Sequence, residues 1–368
     1  MRNKSKSFKI ISIFILVAFF ILQRNLSFAQ QKEETTVKSD TAEKNIKSKK
    51  EGFKPGPYII HHILDAHVWH IAEIGHTEIA INLPVILISE KGIDVFNFSK
   101  FKTEEEALKY NGYICSHEKI TAEDGRKIYD FSITKNVMSL FVSVLLLCII
   151  FISVSRSYVK RKGHAPKGIQ SFLEPLILFV RDDIAKPSIG EKKYEKYMPF
   201  LLTLFFFIFI NNLLGLIPIF PGGANLTGNI AVTMILALFT FTITTFSTNK
   251  SYWLHIINTP GVPWWLKLPL PIMPFVETVG VFSKPFVLMV RLFANITAGH
   301  IIALAFIGLI FIFGQINVSV GYGISVVSIL FSVFMGLIEL LVAFLQAYVF
   351  TLLSAIYFGM AKVEEEHH

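Results

Sequence analysis

Cysteine is scarce in this chain, and charge is missing from long stretches of it. Two cysteines in 368 residues exclude a disulfide-built scaffold. Cys148 sits within an apolar run while Cys115 lies outside it, which argues against a bridge between them. No GxxxxGK[ST] loop is present, so the chain does not itself handle a nucleoside triphosphate by that device. No two halves repeat one another with matched interruptions, so the usual signature of a secondary transporter is absent. Charged residues are only 17% of the chain and leave a net charge of +8. The basic ones fall mainly in the N-terminal third and in one short connection, without interleaved aromatics, which speaks against a nucleic-acid partner.

What the chain has in quantity is apolar surface. Hydrophobic residues make up 52% and aromatics 14%, with a mean hydropathy of +0.54, too apolar for a water-soluble protein of this length. The expected solvent is the lipid bilayer. Residues 1–29 read as a secretory signal: Arg2, Lys4, Lys6 and Lys9, an apolar stretch, then Ser27-Phe28-Ala29. An uncleaved signal anchor is the other reading of the same segment. Residues 30–135 are expected outside the cytoplasm, beginning with a Lys-, Glu- and Ser-rich tether that has little to bury. Alternating stretches such as Ile93-Asp94-Val95-Phe96 and Ile128-Tyr129-Asp130-Phe131 then predict a small β-rich piece. His61, His62, His67, His70 and His76 leave open a metal-binding module there, with His67 and His70 sharing a helical face, although no cysteine completes a site.

A membrane domain is expected over 136–361, followed by a cytoplasmic tail at 362–368. Residues 136–154 carry no charge and are long enough to span. Arg156, Lys160, Arg161, Lys162 and Lys167 follow with no acid among them, marking the cytoplasmic side. Residues 168–184 mix apolar positions with Glu174, Arg181, Asp182 and Asp183, as a helix lying on that surface does. A charge-free run over 197–249, interrupted at Pro218 to Gly223, predicts a helical hairpin. A last pair spans roughly 271–313 and 322–361, joined by a turn around 314–321. At 1.5 Å per residue, each reaches roughly 60 Å, twice the hydrocarbon thickness, and so must tilt strongly or break. The fold class is therefore an all-α polytopic membrane protein with five spanning helices, a surface helix and a small β-rich insertion.

Nearly all ionisable residues within the apolar spans fall on that last pair: Glu277, Lys284, Arg291 and His300, then Glu339. A central Arg or Lys costs about 2.5–3.5 kcal/mol on insertion scales, so such residues mark ion pathways. Arg291 lies deep in its helix, too far from either end to reach water easily. Glu277, Lys284 and Arg291 recur every seven residues and share one face. Lys284, just before Pro285, has a second reading as an interfacial residue at a kink. Small or neutral Ala294, Asn295 and Ala298 lie near the Arg291 stripe and permit close approach of another helix. Counting an antiparallel register outward from the turn near Val318 sets Arg291 opposite Gln346 and His300 beside Glu339. The second pair is a candidate imidazole and carboxylate relay.

At these residues the sequence resembles subunit a of F-type ATP synthases. Ser283-Lys284-Pro285, Arg291-Leu292-Phe293-Ala294-Asn295, Ala298-Gly299, Leu345-Gln346-Ala347-Tyr348 and Asn211-Asn212-Leu213-Leu214-Gly215 carry the resemblance. It covers most of the chain from Asn136 onward, and Tyr58-Ile59-Ile60-His61-His62 is similar to family N-termini. The resemblance implies that Arg291 is the essential charge barrier facing a rotating c-ring, with Gln346 and Asn295 its polar neighbours. It implies that His300 and Glu339 form the periplasmic half-channel relay, with acid and imidazole exchanged relative to many bacterial members. Glu277 becomes a candidate for the cytoplasmic exit path. Implied partners are c-ring subunits, peripheral-stalk b subunits and, indirectly, the F1 sector. No cofactor is implied. The implied location is the bacterial inner membrane, with the N-terminus periplasmic and the C-terminus cytoplasmic.

Overall fold

A computed structural model of the chain describes Gly56 and residues 64–74, 77–104, 107–116, 118–217, 222–248 and 272–361. The expected signal segment, the tether, the histidines at 61, 62 and 76 and the tail at 362–368 lie outside the described residues.

The first folded part is mainly β, with one short 3-10 turn at Phe98–Lys100. Strands β1 (Val68–Ile74) and β2 (Thr77–Asn82) pair antiparallel with a bulge between His70 and Ala72. β3 (Pro84–Ser89), β4 (Gly92–Asn97) and β9 (Ile128–Asp130) form a second sheet in the order β4-β3-β9. β5 (Lys102–Glu104), β6 (Ala107–Tyr110), β7 (Tyr113–Ser116) and β8 (Lys119–Ala122) form a third, in meander order. Val85, Leu87, Phe96, Phe98, Phe101, Tyr113, Cys115 and Ile120 make its core. Burial, followed by the Glu118 and Asp130 charges, pushes the Cys115 thiol up to about 12, so it acts as a core residue, not a nucleophile. The expectation that His67 and His70 share a helical face is overturned. His70 lies in β1 and His67 just before it, and an extended chain turns positions three apart to opposite sides.

A buried polar knot joins this part to the first membrane helix, α1 (Lys135–Lys160). Asp65 accepts from the Asn136 amide at 3.0 Å and from Thr134 Oγ1 at 2.7 Å. His67 Nδ1 lies 2.9 Å from Glu118 Oε2, which also accepts from the His67 amide at 3.0 Å. The ring stacks on Phe98 with centroids 5.3 Å apart. Burial alone lowers the His67 pKa, but the Glu118 hydrogen bond and the charges of Asp130, Glu118 and Asp65 prevail and raise it. Burial raises that of Asp65, against its hydrogen bonds.

α1 runs six residues beyond the expected 154 because Arg156 and Lys160 can extend their stems along the helix toward water. The segment expected as a helix at 168–184 is helical without interruption from 169 to 189, as α2 (Ile169–Phe179), a π turn over Val180–Ala185, and α3 (Lys186–Ile189). Val180, Ile184 and Ala185 are fully buried by the π turn. Then come α4 (Met198–Leu216), α5 (Ile230–Ser247), α6 (Ile272–Ile316) and α7 (Val318–Met360); α4 packs mainly on α7 and α5 on α6, not on each other as the expected hairpin has them. By length and composition, five helices among the described residues are apolar enough to cross a membrane. The loop expected at 314–321 is corrected to a joint at Asn317, whose side chain accepts from the Ser319 amide and caps α7. The glycines read there as turn formers lie inside the helices. A Cβ on Gly321 would meet Gly314 Cα at 2.7 Å, so they serve close packing of α6 on α7.

Candidate functional site

On α6 the buried side is set by Leu288, Met289, Leu292 and the partly buried Ile296, which pack into the helical core. Helical spacing then turns Arg291, Ala294, Asn295 and Ala298 outward, and all are exposed. Among the described residues Arg291 has no ion-pair partner, so the protein holds an uncompensated charge on an apolar helix face flanked by small side chains. Glu277 and Lys284 are half-buried rather than exposed, because a seven-residue repeat drifts about 20° per heptad on a straight helix. Lys284 Nζ lies 5.5 Å from the centre of the Tyr357 ring on α7, a cation–π contact. Beside it, Thr240, Thr244, Pro285, Leu288 and Tyr357 help line a cavity of about 20 Å³, room for about one water. α6 runs through Pro285 without a break.

The second constellation lies toward the α6–α7 joint. His300 Nδ1 is 3.8 Å from Glu339 Oε1, so the two residues paired by counting register are brought together. Gly299 makes this possible: a Cβ there would stand 2.8 Å from Glu339 Oε1. On its other side, His300 Nε2 approaches Gly215 near the end of α4, 3.6 Å from where a Cβ would be. Glu339 Oε1 is buried with no hydrogen-bond partner among the described residues. Gln346, two turns from Glu339 on α7, is buried at 7% exposure. No hydrogen bond joins Gln346 to Arg291.

Neighbouring polar residues were missed as site residues by sequence reasoning. Asn212 donates from Nδ2 to the Ala343 carbonyl at 3.2 Å and accepts from Thr227 Oγ1 at 2.6 Å. Thr297 Oγ1 donates to the Gly228 carbonyl at 3.3 Å. Asn211 Oδ1 and Asn225 Nδ2 are buried without hydrogen-bond partners among the described residues. The available signal was the Asn211-Asn212 pair in a charge-free run and the Asn- and Thr-rich segment after Gly223. Together these place a band of amide and hydroxyl groups around His300 and Glu339, where α4, α6, α7 and the 222–229 segment meet. Such a band can hydrogen-bond to water and pass a proton between donors and acceptors.

Comparison with known proteins gives two family matches. Residues 137–359 match the family described as ATP synthase A chain, and residues 58–139 match a domain of unknown function. The ATP synthase subunit a of Chloroherpeton thalassium is 44% identical over 246 residues, covering 65% of this chain and 69% of the relative. That of Pelodictyon phaeoclathratiforme is 36% identical over 355 residues, covering 95% and 88%. That of Myxococcus xanthus is 44% identical over 246 residues, covering 65% and 76%. The segment carrying Arg291, His300, Glu339 and Gln346 lies wholly within the first match, and the chain belongs to the ATP synthase subunit a family.

Proposed function

We propose that this chain is the proton-conducting subunit of the membrane sector of a rotary ATP synthase, with Arg291 separating two half-channels at the surface of the c-ring. The observation that carries the proposal is the exposed stripe of Arg291, Ala294, Asn295 and Ala298 on a helix otherwise built for lipid or protein contact. A charge left open there is costly unless a partner of opposite sign passes it. A ring of subunits bearing membrane-buried carboxylates supplies that partner, and the small residues allow its helices to come close.

Protons enter from the periplasm past His300 and Glu339, with the polar band around Asn212 and Thr297 holding water in the path. A ring carboxylate that takes the proton becomes neutral and can turn through lipid without a heavy desolvation cost. Arg291 favours the deprotonated form as each carboxylate arrives and repels a proton that would cross directly between the half-channels. Asn295 and Gln346 stand beside it as neutral polar neighbours, and Glu277 lies toward the cytoplasmic exit. Each charge moved is worth about 2.3 kcal/mol per 100 mV, so several per turn can drive synthesis in the F1 sector. The chain has no catalytic role of its own in ATP chemistry.

The same reading places α6 and α7, 45 and 43 residues long, at a strong tilt against the curved ring. α2 lies on the cytoplasmic surface, where peripheral-stalk b subunits can hold the assembly. The positive loop after α1 supports a periplasmic N-terminus and a cytoplasmic C-terminus in the bacterial inner membrane. Arg291→Ala in vesicles carrying the whole complex is expected to abolish ATP-driven proton pumping while ATP hydrolysis by the detached F1 sector persists. Unimpaired pumping would overturn the proposal.

A further inference from the structure

A groove of about 450 Å³ lies between the π turn at Val180–Ala185 and the start of α4, lined by Arg181, Tyr194, Glu195, Met198, Pro199 and Leu202. Its lining is of two kinds. Met198, Pro199 and Leu202 are apolar and belong to the first turns of α4. Arg181, Tyr194 and Glu195 are polar, the last two within a 3-10 turn at Tyr194–Lys196. Val180, Ile184 and Ala185 bury the inner side of the π turn, while Arg181 and Asp182 stay half-buried on it. Turns of this kind recur at functional sites. Arg181 Nε and Nη2 donate to the two oxygens of Asp182 at 3.0 and 2.8 Å. This fork fixes the guanidinium plane and leaves its other N–H groups for a second acceptor. Lys186 Nζ reaches the same carboxylate at 2.6 Å, so Asp182 is shared between two cations and does not neutralise Arg181 alone. Glu195, exposed on the same groove, offers a charge of the opposite sign.

The length of α4 fixes where the groove stands in a membrane. Its 19 residues rise about 28 Å, against a hydrocarbon core of about 30 Å, so neither end can sink below the headgroups. Met198 and Pro199 therefore stand at headgroup level. Lys192, Lys193 and Lys196 lie just outside them in the chain, with Tyr194 among them, the aromatic type that favours this boundary. A ligand that matches the groove has an acyl chain for the apolar wall, a phosphate for Arg181 and an ammonium for Glu195. We infer that the groove holds a phospholipid of the phosphatidylethanolamine class, its phosphate on Arg181, its ammonium on Glu195 and its acyl chains along Met198, Pro199 and Leu202. A phosphatidylglycerol carries no cation, and its phosphate would leave Glu195 facing a like charge.

The test puts a diazirine-bearing amino acid in place of Met198 in the complete ATP synthase. The complex is reconstituted in vesicles of equal phosphatidylethanolamine and phosphatidylglycerol, irradiated and digested, and lipid adducts on the peptide carrying position 198 are measured by mass spectrometry. The same group in place of Leu145, exposed on α1, gives the reference ratio of the two lipids. At position 198 the ratio is expected to favour phosphatidylethanolamine by about threefold over that reference, the selectivity that one exposed ion pair supports. Glu195→Gln is expected to return it to the reference, and Arg181→Gln to reduce adducts of both lipids at 198 relative to 145. A ratio at 198 equal to the reference with Arg181 and Glu195 intact overturns the inference, as does a preference that survives Glu195→Gln. A cross-link to a protein peptide in place of lipid also overturns it and assigns the groove to a partner subunit.

Discussion

Gly299 is the residue on which the geometry of the His300 and Glu339 pair turns. Any side chain there displaces Glu339, because a Cβ would fall 2.8 Å from Oε1 and 3.2 Å from Cγ. Gly299→Ala is expected to cost about 1 kcal/mol, the low end for overpacking because the carboxylate is on a movable side chain. It is also expected to slow ATP-driven pumping by the whole complex. Gly280→Ala on the same helix meets nothing within 4 Å and is expected to leave pumping unchanged, which the same vesicle assay checks. His300 and Glu339 were legible in the sequence because two uninterrupted helices have equal rise, so counting outward from their joint gives the register. Asn212 and Thr227 were not legible as a pair. Their contact depends on the path of the segment between α4 and α5, which has no period to count. The outward turn of Arg291 was legible from its spacing to Ala294, Asn295 and Ala298, whereas the inward drift of Lys284 to Tyr357 required the partner helix.

At the scale of elements, the junction between the β part and α1 is held by titratable groups, and this gives it a pH dependence. His67 has a folded pKa above its ordinary value of 6.5. Its contribution to stability is therefore fully present below about 6.5 and lost as pH rises through the raised value. Asp65, also raised, acts in the same direction, favouring the folded junction at lower pH. Amide hydrogen exchange in β1 and β8, corrected for intrinsic rates, is expected to be faster at pH 8 than at pH 6, with His67→Gln reducing the difference. Equal protection at both pH values would refute this. The β character of the region was legible in stretches such as Ile93 to Phe96. β1 was not legible as a strand, since Trp69 and Ile71 interrupt the alternation of Val68, His70 and Ala72. The joint at Asn317 was misplaced for a different reason: in water Gly314 and Gly321 would signal a turn, but between packed membrane helices small residues signal contact.

At the scale of the whole molecule, the described residues form two cores with no residue in common, one in the β part and one among the helices. Purified subunit in mild detergent is expected to unfold in two calorimetric transitions, since separate cores do not share cooperativity. The β transition moves with pH through His67 and Asp65, and a single pH-independent transition would contradict this. Composition alone made the membrane class legible at this scale, because no water-soluble fold hides so much apolar surface. The single-residue joint at Asn317 has a mechanical consequence as well. Two rods pinned with no slack cannot slide past each other at that end, so a sideways load is carried as bending of a doubled beam. Arg291 sits about 40 Å along that beam from the pin. A force applied there meets the stiffness of α6 and α7 together, and the charge stays in register with the polar groups behind it.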